Sequence, residues 1–318
     1  MLPRALKKNT PQSISIAILY ALPFIVLILL QDIKIYDWTG KSNLSVYLNP
    51  INNYNWLNKL FGISLLLGTA TYAQYVYYKY RLFAKGNQFV FILSVALLAC
   101  GAYAGAVSPW ALGAAFLIRL IDRCFEIQRS NNPNMIIVEA SFTAGLLWMI
   151  SSEFLWVFPT IILAYLYSGS LQIRGFFISV FGFVLPYYFL IGLNYLFDFP
   201  VIVDTSVHLP SYFAPNNLRE FVLLGGCLLV LIIGFRYLFQ AIIINKVIIK
   251  NHLVLLIGFT ALSIVSASMS AAGFGDIIVG AFPAFGVLAG LYFLNASKVW
   301  LMEITFFVWY GSVLFFVI

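Results

Sequence analysis

A small number of polar side chains at the ends of apolar segments have the types that acid–base chemistry or anion binding requires. They are Asp32, Lys34, Asp37, His208, Arg219 and Asp276. Carboxylates can act as general bases, whereas cationic and imidazole side chains can bind an anionic group. Asp32 closely follows the first apolar segment, and Asp276 follows a turn rich in glycine and alanine. We therefore take the three aspartates as candidate catalytic residues and the other three as candidate substrate-binding residues.

Each of these residues also has a purely structural interpretation. Acids in loops are usually solvated, and a carboxylate in the first turn of a helix, as predicted for Asp276, is stabilised by the helix dipole. The three cysteines, Cys100, Cys124 and Cys227, are unclustered. They lack the paired spacing of a zinc site or of a disulfide framework. The sequence therefore indicates no metal and no cofactor.

The composition places these residues in a membrane protein. Hydrophobic residues make up 62% of the 318 residues and charged residues 9%, and the mean hydropathy is +0.95. Soluble domains contain far fewer apolar and far more charged residues. The formal net charge is +7, but the basic residues lie in small clusters at the ends of apolar segments, as orientation signals do. This distribution argues against nucleic-acid binding.

The elements that must position the candidate residues are membrane-spanning helices. The apolar segments predict an all-α, polytopic membrane helix bundle with about eleven spans. They cover residues 14–31, 58–77, 88–106, 109–122, 135–150, 155–170, 176–196, 221–239, 252–268, 277–294 and 299–317. The loops between them are too short for a soluble domain. We therefore predict one integral membrane domain over residues 1–318.

The basic residues give the predicted orientation. Most of the 18 Lys and Arg residues fall in one alternating set of loops, and the exceptions are Lys34, Lys41, Lys59 and Arg219. Basic loops face the cytoplasm. We therefore predict a cytoplasmic N-terminus, an external C-terminus and a bacterial inner-membrane location. The acids Asp32, Asp37 and Asp276 then lie at the outer face. The first apolar segment has no small-residue cleavage site after it, so we expect a retained span.

Charged residues within the predicted spans are few. Arg119, Asp122, Arg123 and Glu126 are spaced so that they share one helix face. We expect a short span whose cytoplasmic end carries this face in solvent; the alternative is a helix that lies in the membrane interface. Glu139 and Glu303 lie near cytoplasmic helix ends, where pairing with an arginine is expected and an ion or proton role is the alternative.

Small residues and prolines indicate where helices approach or bend. Gly101-x-x-x-Gly105 and Gly286-x-x-x-Gly290 have the spacing of close helix contacts, and Pro23, Pro186 and Pro283 interrupt apolar segments. Helix packing explains these residues. The alternative is a transporter, in which discontinuous helices bind a substrate at the membrane midplane, but the sequence contains no inverted repeat to support it.

An acid just after the first span, followed by a loop with several aromatic residues, resembles the layout of membrane glycosyltransferases that use polyprenyl-phosphate sugars. The aromatic residues are Tyr36, Trp38, Tyr47, Tyr54 and Trp56. The resemblance implies that Asp32 or Asp37 acts as the base for an acceptor hydroxyl. It also implies that Lys34, Lys41, His208 or Arg219 binds the lipid phosphate. The family's paired acids after the first span are absent here.

A second resemblance covers more of the chain. Its residues are Lys7-Lys8-Asn9-Thr10-Pro11, Arg174-Gly175-Phe176, Gly182 and Pro186-Tyr187-Tyr188. These look like a bacterial family of multispanning inner-membrane proteins of similar length whose activity is uncharacterised. That resemblance implies an envelope setting and no particular chemistry.

Three functions of different class remain open from the sequence. A glycosyltransferase-like enzyme requires Asp32, Arg219 and Asp276 to converge on one outward cavity. A non-catalytic membrane subunit of an envelope or secretion complex requires a face of small and aromatic residues that fits a protein partner. A secondary transporter requires a midplane cavity near Pro186 and Pro283.

Overall fold

The computed structural model describes residues 6–7, 10–30, 55–83, 87–102, 109–130, 133–169, 173–197, 217–244, 247–268, 274–296 and 298–318. Within these ranges the regular structure is entirely helical. The α-helices are α1 (Pro11–Leu30), α2 (Asn55–Lys79), α3 (Phe89–Ala102), α4 (Pro109–Ile127), α5 (Asn134–Ile150), α6 (Pro159–Tyr167), α7 (Ile173–Phe197), α8 (Leu218–Ile244), α9 (Val247–Ser268), α10 (Phe274–Asn295) and α11 (Val299–Val317). A 3₁₀ helix (Ser152–Val157) precedes α6.

These helices confirm the predicted all-α class and the multi-span character. Among the described residues, α1, α7, α8, α9, α10 and α11 are long and apolar enough to cross a membrane. The chain is therefore a multi-pass membrane protein. Each predicted span overlaps one helix, although the sixth is divided between the 3₁₀ helix and the short α6. The total of eleven spans and the orientation of the termini stay predictions.

The centre of the bundle is the antiparallel pair α3 and α10. The described side chains of α3 are buried, and α10 is the most enclosed of the six long apolar helices. A side chain at Gly275 would place its Cβ 2.5 Å from the Cys100 carbonyl oxygen, and one at Gly101 would collide with Val279. The close-contact role predicted for Gly101 is therefore confirmed, whereas Gly105 lies outside the described residues.

The helices α5 and α7 form a second close pair at the periphery. Gly145 on α5 lies against the Phe183 carbonyl and the Pro186 ring of α7. Two atoms of the Pro186 ring are 2.9 and 3.0 Å from the position that a Cβ atom of residue 145 would occupy. Gly182 of α7 in turn faces Ser141 of α5. Because the two glycines carry no side chains, the two backbones can approach closely. The predicted packing role of Pro186 follows from this contact.

Contacts between helix ends show which ends of the bundle lie together. The Lys7 ammonium donates to the Leu294 carbonyl at the end of α10 (3.2 Å), and the Gln88 amide before α3 donates to the Leu6 carbonyl (3.0 Å). At the opposite end, the Ser266 hydroxyl of α9 donates to the Glu153 carbonyl of the 3₁₀ helix (2.6 Å). These contacts agree with helices that run in alternating directions.

Basic residues are concentrated at one end of the bundle, whereas acids lie at both ends. We call the end that carries Lys7, Lys79 and Arg123 the basic end, and the end that carries Glu153 and Asp276 the acidic end. The concentration of basic residues at one end is what the alternation of basic loops in the sequence predicts. The assignment of the basic end to the cytoplasm stays a prediction.

The contact between α5 and α7 gives a stability prediction. Gly145→Ala should lower the unfolding free energy by about 1–3 kcal/mol, because the new methyl group meets main-chain and ring atoms that cannot rotate away. Gly68→Ala is the matched control, since Gly68 is an exposed helical glycine of α2 with no atom within 4 Å of its Cβ position. The control should stabilise slightly through helix propensity. Thermal unfolding in detergent measures both, and equal Tm shifts for the two variants would contradict the packing interpretation.

Candidate functional site

The structure describes two of the six candidate site residues. Asp32, Lys34, Asp37 and His208 lie outside the described residues. Arg219 is exposed in the first turn of α8, and Asp276 is buried in the first turn of α10. The predicted convergence of Asp32, Arg219 and Asp276 therefore stays a prediction.

Asp276 is enclosed by the end of α3. Its Oδ1 atom is 3.7 Å from the Cβ position of Gly101, and only 2% of the residue is exposed. A general base must reach the proton that it removes. In this conformation the Asp276 carboxylate takes part in a helix contact, and its position in the first turn of α10 also agrees with the structural interpretation given above.

The charged groups that the structure brings together lie at the basic end instead. We call them the Asp122 cluster: Tyr72, Lys79, Tyr80, Arg119, Asp122, Arg123, Glu126 and Glu139. They come from α2, the turn after it, α4 and α5. Lys79, Arg119 and Arg123 are balanced by Asp122, Glu126 and Glu139, so the cluster is neutral in sum.

The Asp122 carboxylate is the centre of this cluster. Oδ1 accepts hydrogen bonds from the Lys79 ammonium (2.8 Å) and the Tyr80 hydroxyl (2.9 Å). Oδ2 accepts one from the Tyr72 hydroxyl (3.0 Å), with an Arg119 nitrogen at 3.5 Å. The residue is 2% exposed. Donors around both oxygens stabilise the ionised form and leave the carboxylate poorly placed to accept a substrate proton.

Arginines extend the cluster from α4 to α5. An Arg123 guanidinium nitrogen lies 2.7 Å from Glu126 and 3.1 Å from Glu139, and Arg119 lies 3.9 Å from Glu139. The predicted pairing of Glu139 with an arginine is thus confirmed. The expectation of a solvated charged face on α4 stays a prediction for Arg119, whose side chain is 42% exposed. It is wrong for Asp122, because α2 and its terminal turn cover that side chain.

The turn after α2 sets the position of Lys79 and Tyr80. The Leu82 amide donates to the Tyr77 carbonyl and the Arg81 amide to the Tyr78 carbonyl, the two bonds of a Schellman C-cap. Arg81 occupies the left-handed position of this motif, with φ of 55°. Glycine is usual there, and another residue costs about 1 kcal/mol. The left-handed conformation of Arg81 completes the turn, and this turn positions the neighbouring Tyr80 hydroxyl for its hydrogen bond to Asp122.

A buried histidine adjoins the cluster through Tyr80. The His252 ring on α9 packs edge-on against Tyr80 (centroids 5.3 Å apart) and at a tilt against Phe125 (4.7 Å). Neither ring nitrogen makes a well-formed hydrogen bond within the described residues, although the Phe125 main chain lies nearby. Lys79 and Arg129 lie over the Tyr80 ring at 5.0 and 5.6 Å from its centroid. Tyr80 therefore connects the ion pairs to the aromatic packing of α9.

Sequence reasoning missed the Asp122 cluster because it treated the basic end as a set of orientation signals. A clue was available: Asp122 is flanked at i−3 and i+1 by arginines on one helix face. The partners from α2, however, come from some forty residues earlier in the chain. No regular sequence spacing connects them to Asp122.

The described residues include no group of three or more His, Cys, Asp or Glu side chains placed to hold a metal ion. Cys100, Cys124 and Cys227 are each buried and unpaired by disulfides. The Asp122 cluster can serve a structural role, because it joins the basic ends of α2, α4 and α5 through charge-assisted hydrogen bonds.

Comparison with known proteins found no similar family model, no similar curated protein and no similar solved structure.

Removal of the Asp122 charge should destabilise the protein. Asp122→Asn leaves Lys79 and Arg119 without their shared anion and turns an amide NH₂ toward donor groups, so we expect a loss of about 2–3 kcal/mol. Glu126→Gln is the control. The Glu126 side chain is 36% exposed, and its pairing should contribute about 0–1 kcal/mol. Thermal or denaturant unfolding in detergent measures the difference, and equal losses would show that Asp122 is not the centre of the cluster.

Replacement of the buried polar side chain of His252 should have the opposite effect on stability from replacement of Asp122. His252→Leu should keep the stability within about 1 kcal/mol of the parent protein or raise it, because two buried nitrogens without good partners are removed. Phe259→Leu on the same helix removes buried apolar volume and should cost about 1 kcal/mol or more. If His252→Leu destabilises as much as this control, the imidazole has a bonding partner that its packing does not reveal.

Proposed function

We propose that this chain is a non-catalytic membrane subunit of a bacterial cell-envelope complex and that α7 binds a transmembrane helix of a partner protein. The observation that carries this proposal is a row of residues along the middle of the broad exposed side of α7. We call it the α7 stripe: Phe181, Leu185, Tyr188, Gly192 and Tyr195. Successive members are three or four residues apart, so they share one side of the helix.

The α7 stripe is separate from the side of α7 that packs on the bundle. Gly182 and Pro186 of α7 face α5, as described above. Phe181, Tyr188 and Tyr195 are instead 75%, 71% and 88% exposed. The Cβ position of Gly192 has no atom within 4 Å. Gly192 thus leaves a gap between two tyrosines into which a side chain of another helix could fit.

The spacing of the aromatic residues favours a protein partner over lipid. Phe181, Tyr188 and Tyr195 recur every seven residues, the repeat with which two membrane helices pack at a small crossing angle. Lipid chains require apolar surface but no such repeat. Tyr195 alone could anchor in the interface, but Phe181 precedes it by 14 residues and so lies about 21 Å away along the helix axis. The Tyr188 hydroxyl would also gain a hydrogen-bond partner from another helix.

The two described aspartates support a non-catalytic role. Asp122 has donors around both carboxylate oxygens, and Asp276 is enclosed at the α3–α10 contact. Each is engaged in holding helices together. The proposed envelope and inner-membrane setting is supported by the concentration of basic residues at one end of the bundle and by the family resemblance of the sequence.

Two alternatives lead to different results in the same experiment. Sugar transfer from a polyprenyl phosphate would use Asp32, Asp37 or Asp276 as catalytic residues and Lys34, His208 or Arg219 for the phosphate. Secondary transport would use a cavity near the two prolines; here Pro186 contacts α5, whereas the Pro283 carbonyl contacts Tyr77 of α2. The contacts of the two prolines therefore do not point to one shared cavity.

Substitution within the α7 stripe tests the proposal. Gly192→Leu should abolish co-purification of a stoichiometric protein partner in mild detergent, because the leucine fills the gap between Tyr188 and Tyr195. Gly225→Leu on α8 is the matched control, since Gly225 is also an exposed helical glycine with no atom within 4 Å of its Cβ position. Native mass spectrometry of both variants and of the parent protein measures the partner.

The outcomes separate the three functions. A partner that remains bound to both variants would reject the α7 stripe as its interface. Absence of any stoichiometric partner from the parent protein would reject the subunit proposal, and a co-purifying polyprenyl phosphate would then support sugar transfer.

A further inference from the structure

The helix α8 carries an arginine on the side that faces away from the bundle. Its buried side consists of Leu223, Gly226, Cys227, Val230, Gly234 and Leu238. Arg236 is two residues from both Gly234 and Leu238, which places it about 200° around the helix from each of them. It is exposed, and α8 is the least enclosed of the six long apolar helices. The Arg236 side chain therefore lies on the outer surface of the bundle.

Arg236 has no partner in the part of the chain that the structure describes. It makes no hydrogen bond, ion pair or ring contact there. The acids of the Asp122 cluster are paired within that cluster, and Glu303, the other described acid of the basic end, interacts with Tyr20 of α1. An unpaired charge at membrane depth is costly. Arg236 therefore needs an anion that these acids do not supply.

The packing of α8 on α10 gives the depth of Arg236. The Cβ position of Gly234 is 3.0 Å from the Leu288 carbonyl oxygen of α10, and both helices run towards the basic end. Arg236 follows Gly234 by two residues, whereas α10 ends at Asn295, seven residues after Leu288. The Arg236 Cα atom is therefore about 7–8 Å short of the level at which α10 ends. A snorkelling arginine side chain can cover such a distance.

Exposed apolar side chains lie on both sides of Arg236 along the helix. Ile232 is 69% exposed, Phe239 is 62% exposed, and Ile243 in the last turn of α8 is 81% exposed. Apolar surface thus continues past Arg236 towards the basic end, so the guanidinium lies within the membrane boundary and not in bulk water. The anions that a membrane offers at this depth are the phosphates of its lipid headgroups.

Gln240 adds a second hydrogen-bond donor one turn closer to the basic end. It is four residues from Arg236 and therefore on the same side of the helix. Gln240 is also exposed and has no partner within the described ranges. A guanidinium binds phosphate through two parallel N–H···O bonds, and a carboxamide can donate to a further phosphate oxygen. The pair thus provides donors for several oxygens of one phosphate.

We propose that Arg236 and Gln240 bind the phosphate of an anionic phospholipid, whose acyl chains lie along the exposed Leu229 and Ile232 towards the membrane centre. Other cations of the basic end, such as Lys298, lie outside the balanced Asp122 cluster. Their charge favours an anionic headgroup over a zwitterionic one. The inference goes beyond the proposed subunit function and is independent of the partner proposed for α7.

Titration of the delipidated protein with phosphatidylglycerol, followed by native mass spectrometry, tests the inference. Arg236→Gln should weaken binding by about tenfold or more, because hydrogen bonds between charged groups are lost. Arg236→Lys should lose less, since it keeps the charge but not the paired N–H groups. Lys250→Gln is the matched control, because Lys250 is an exposed cation of α9 at the same end, also without a partner among the described residues. It should change binding by less than about twofold.

Thermal unfolding shows that a loss of binding is not a loss of folding. Without lipid, Arg236→Gln should unfold within about 2 °C of the parent protein, because the side chain has no partner in the described structure. Added phosphatidylglycerol should then raise the Tm of the parent protein and of Lys250→Gln more than that of Arg236→Gln.

Several results would overturn the inference. Unchanged phosphatidylglycerol binding by Arg236→Gln, or equal losses in Arg236→Gln and Lys250→Gln, would reject a specific site. Equally tight binding of phosphatidylcholine with the same acyl chains would reject the anionic headgroup. Competition by inorganic phosphate would assign Arg236 to a soluble anion. Loss of a co-purifying protein from Arg236→Gln, with lipid binding unchanged, would assign it to a carboxylate of that protein.

Discussion

The close approach of α3 and α10 determines how the other helices can be arranged. Association of helices within a membrane depends on van der Waals contact and interhelical hydrogen bonds, since lipid is as apolar as the side chains. Glycines at positions 101 and 275 bring the two backbones together at the acidic end, and Gly290 accommodates Phe83 near the basic end. Neighbouring helices then pack on this pair, among them α2 through Tyr77 and α4 through Trp110.

A second constraint is the cost of charge away from water. An ion pair in apolar surroundings must be well bonded to offset its desolvation, and loss of one partner costs more than the pair contributes. The Asp122 cluster meets this condition with a balanced set of cations and acids at the basic end, where Lys79 and Arg119 keep partial contact with solvent. The cluster connects α2, α4 and α5, whereas α7 is fastened to α5 by glycine contacts. The surface of α7 that remains is the one to which we assign a partner.

Particular residues show how far sequence reasoning reaches here. The eleven apolar segments and the helices coincide closely, and the pairing of Glu139 with an arginine follows from its position near a helix end. Asp122 could not be interpreted in the same way, because its burial results from Tyr72, Lys79 and Tyr80, which belong to α2 and the turn after it. The two glycines of Gly286-x-x-x-Gly290 look equivalent in sequence. Only their neighbours show that an added Cβ would collide with Phe83 at Gly290 but would make ordinary contacts with Ser94 and Tyr77 at Gly286.

By itself, the sequence determined the helical class, the membrane character and the concentration of basic residues at one set of helix ends. Each of these depends on residues close together in the chain: an apolar run long enough to span, or a basic cluster at its end. The tertiary structure decided which charges are buried, which glycines permit contact and which face of α7 stays open. Those properties depend on pairs of side chains from helices that are distant in sequence. Hydropathy does not indicate which helices pack against each other or through which faces.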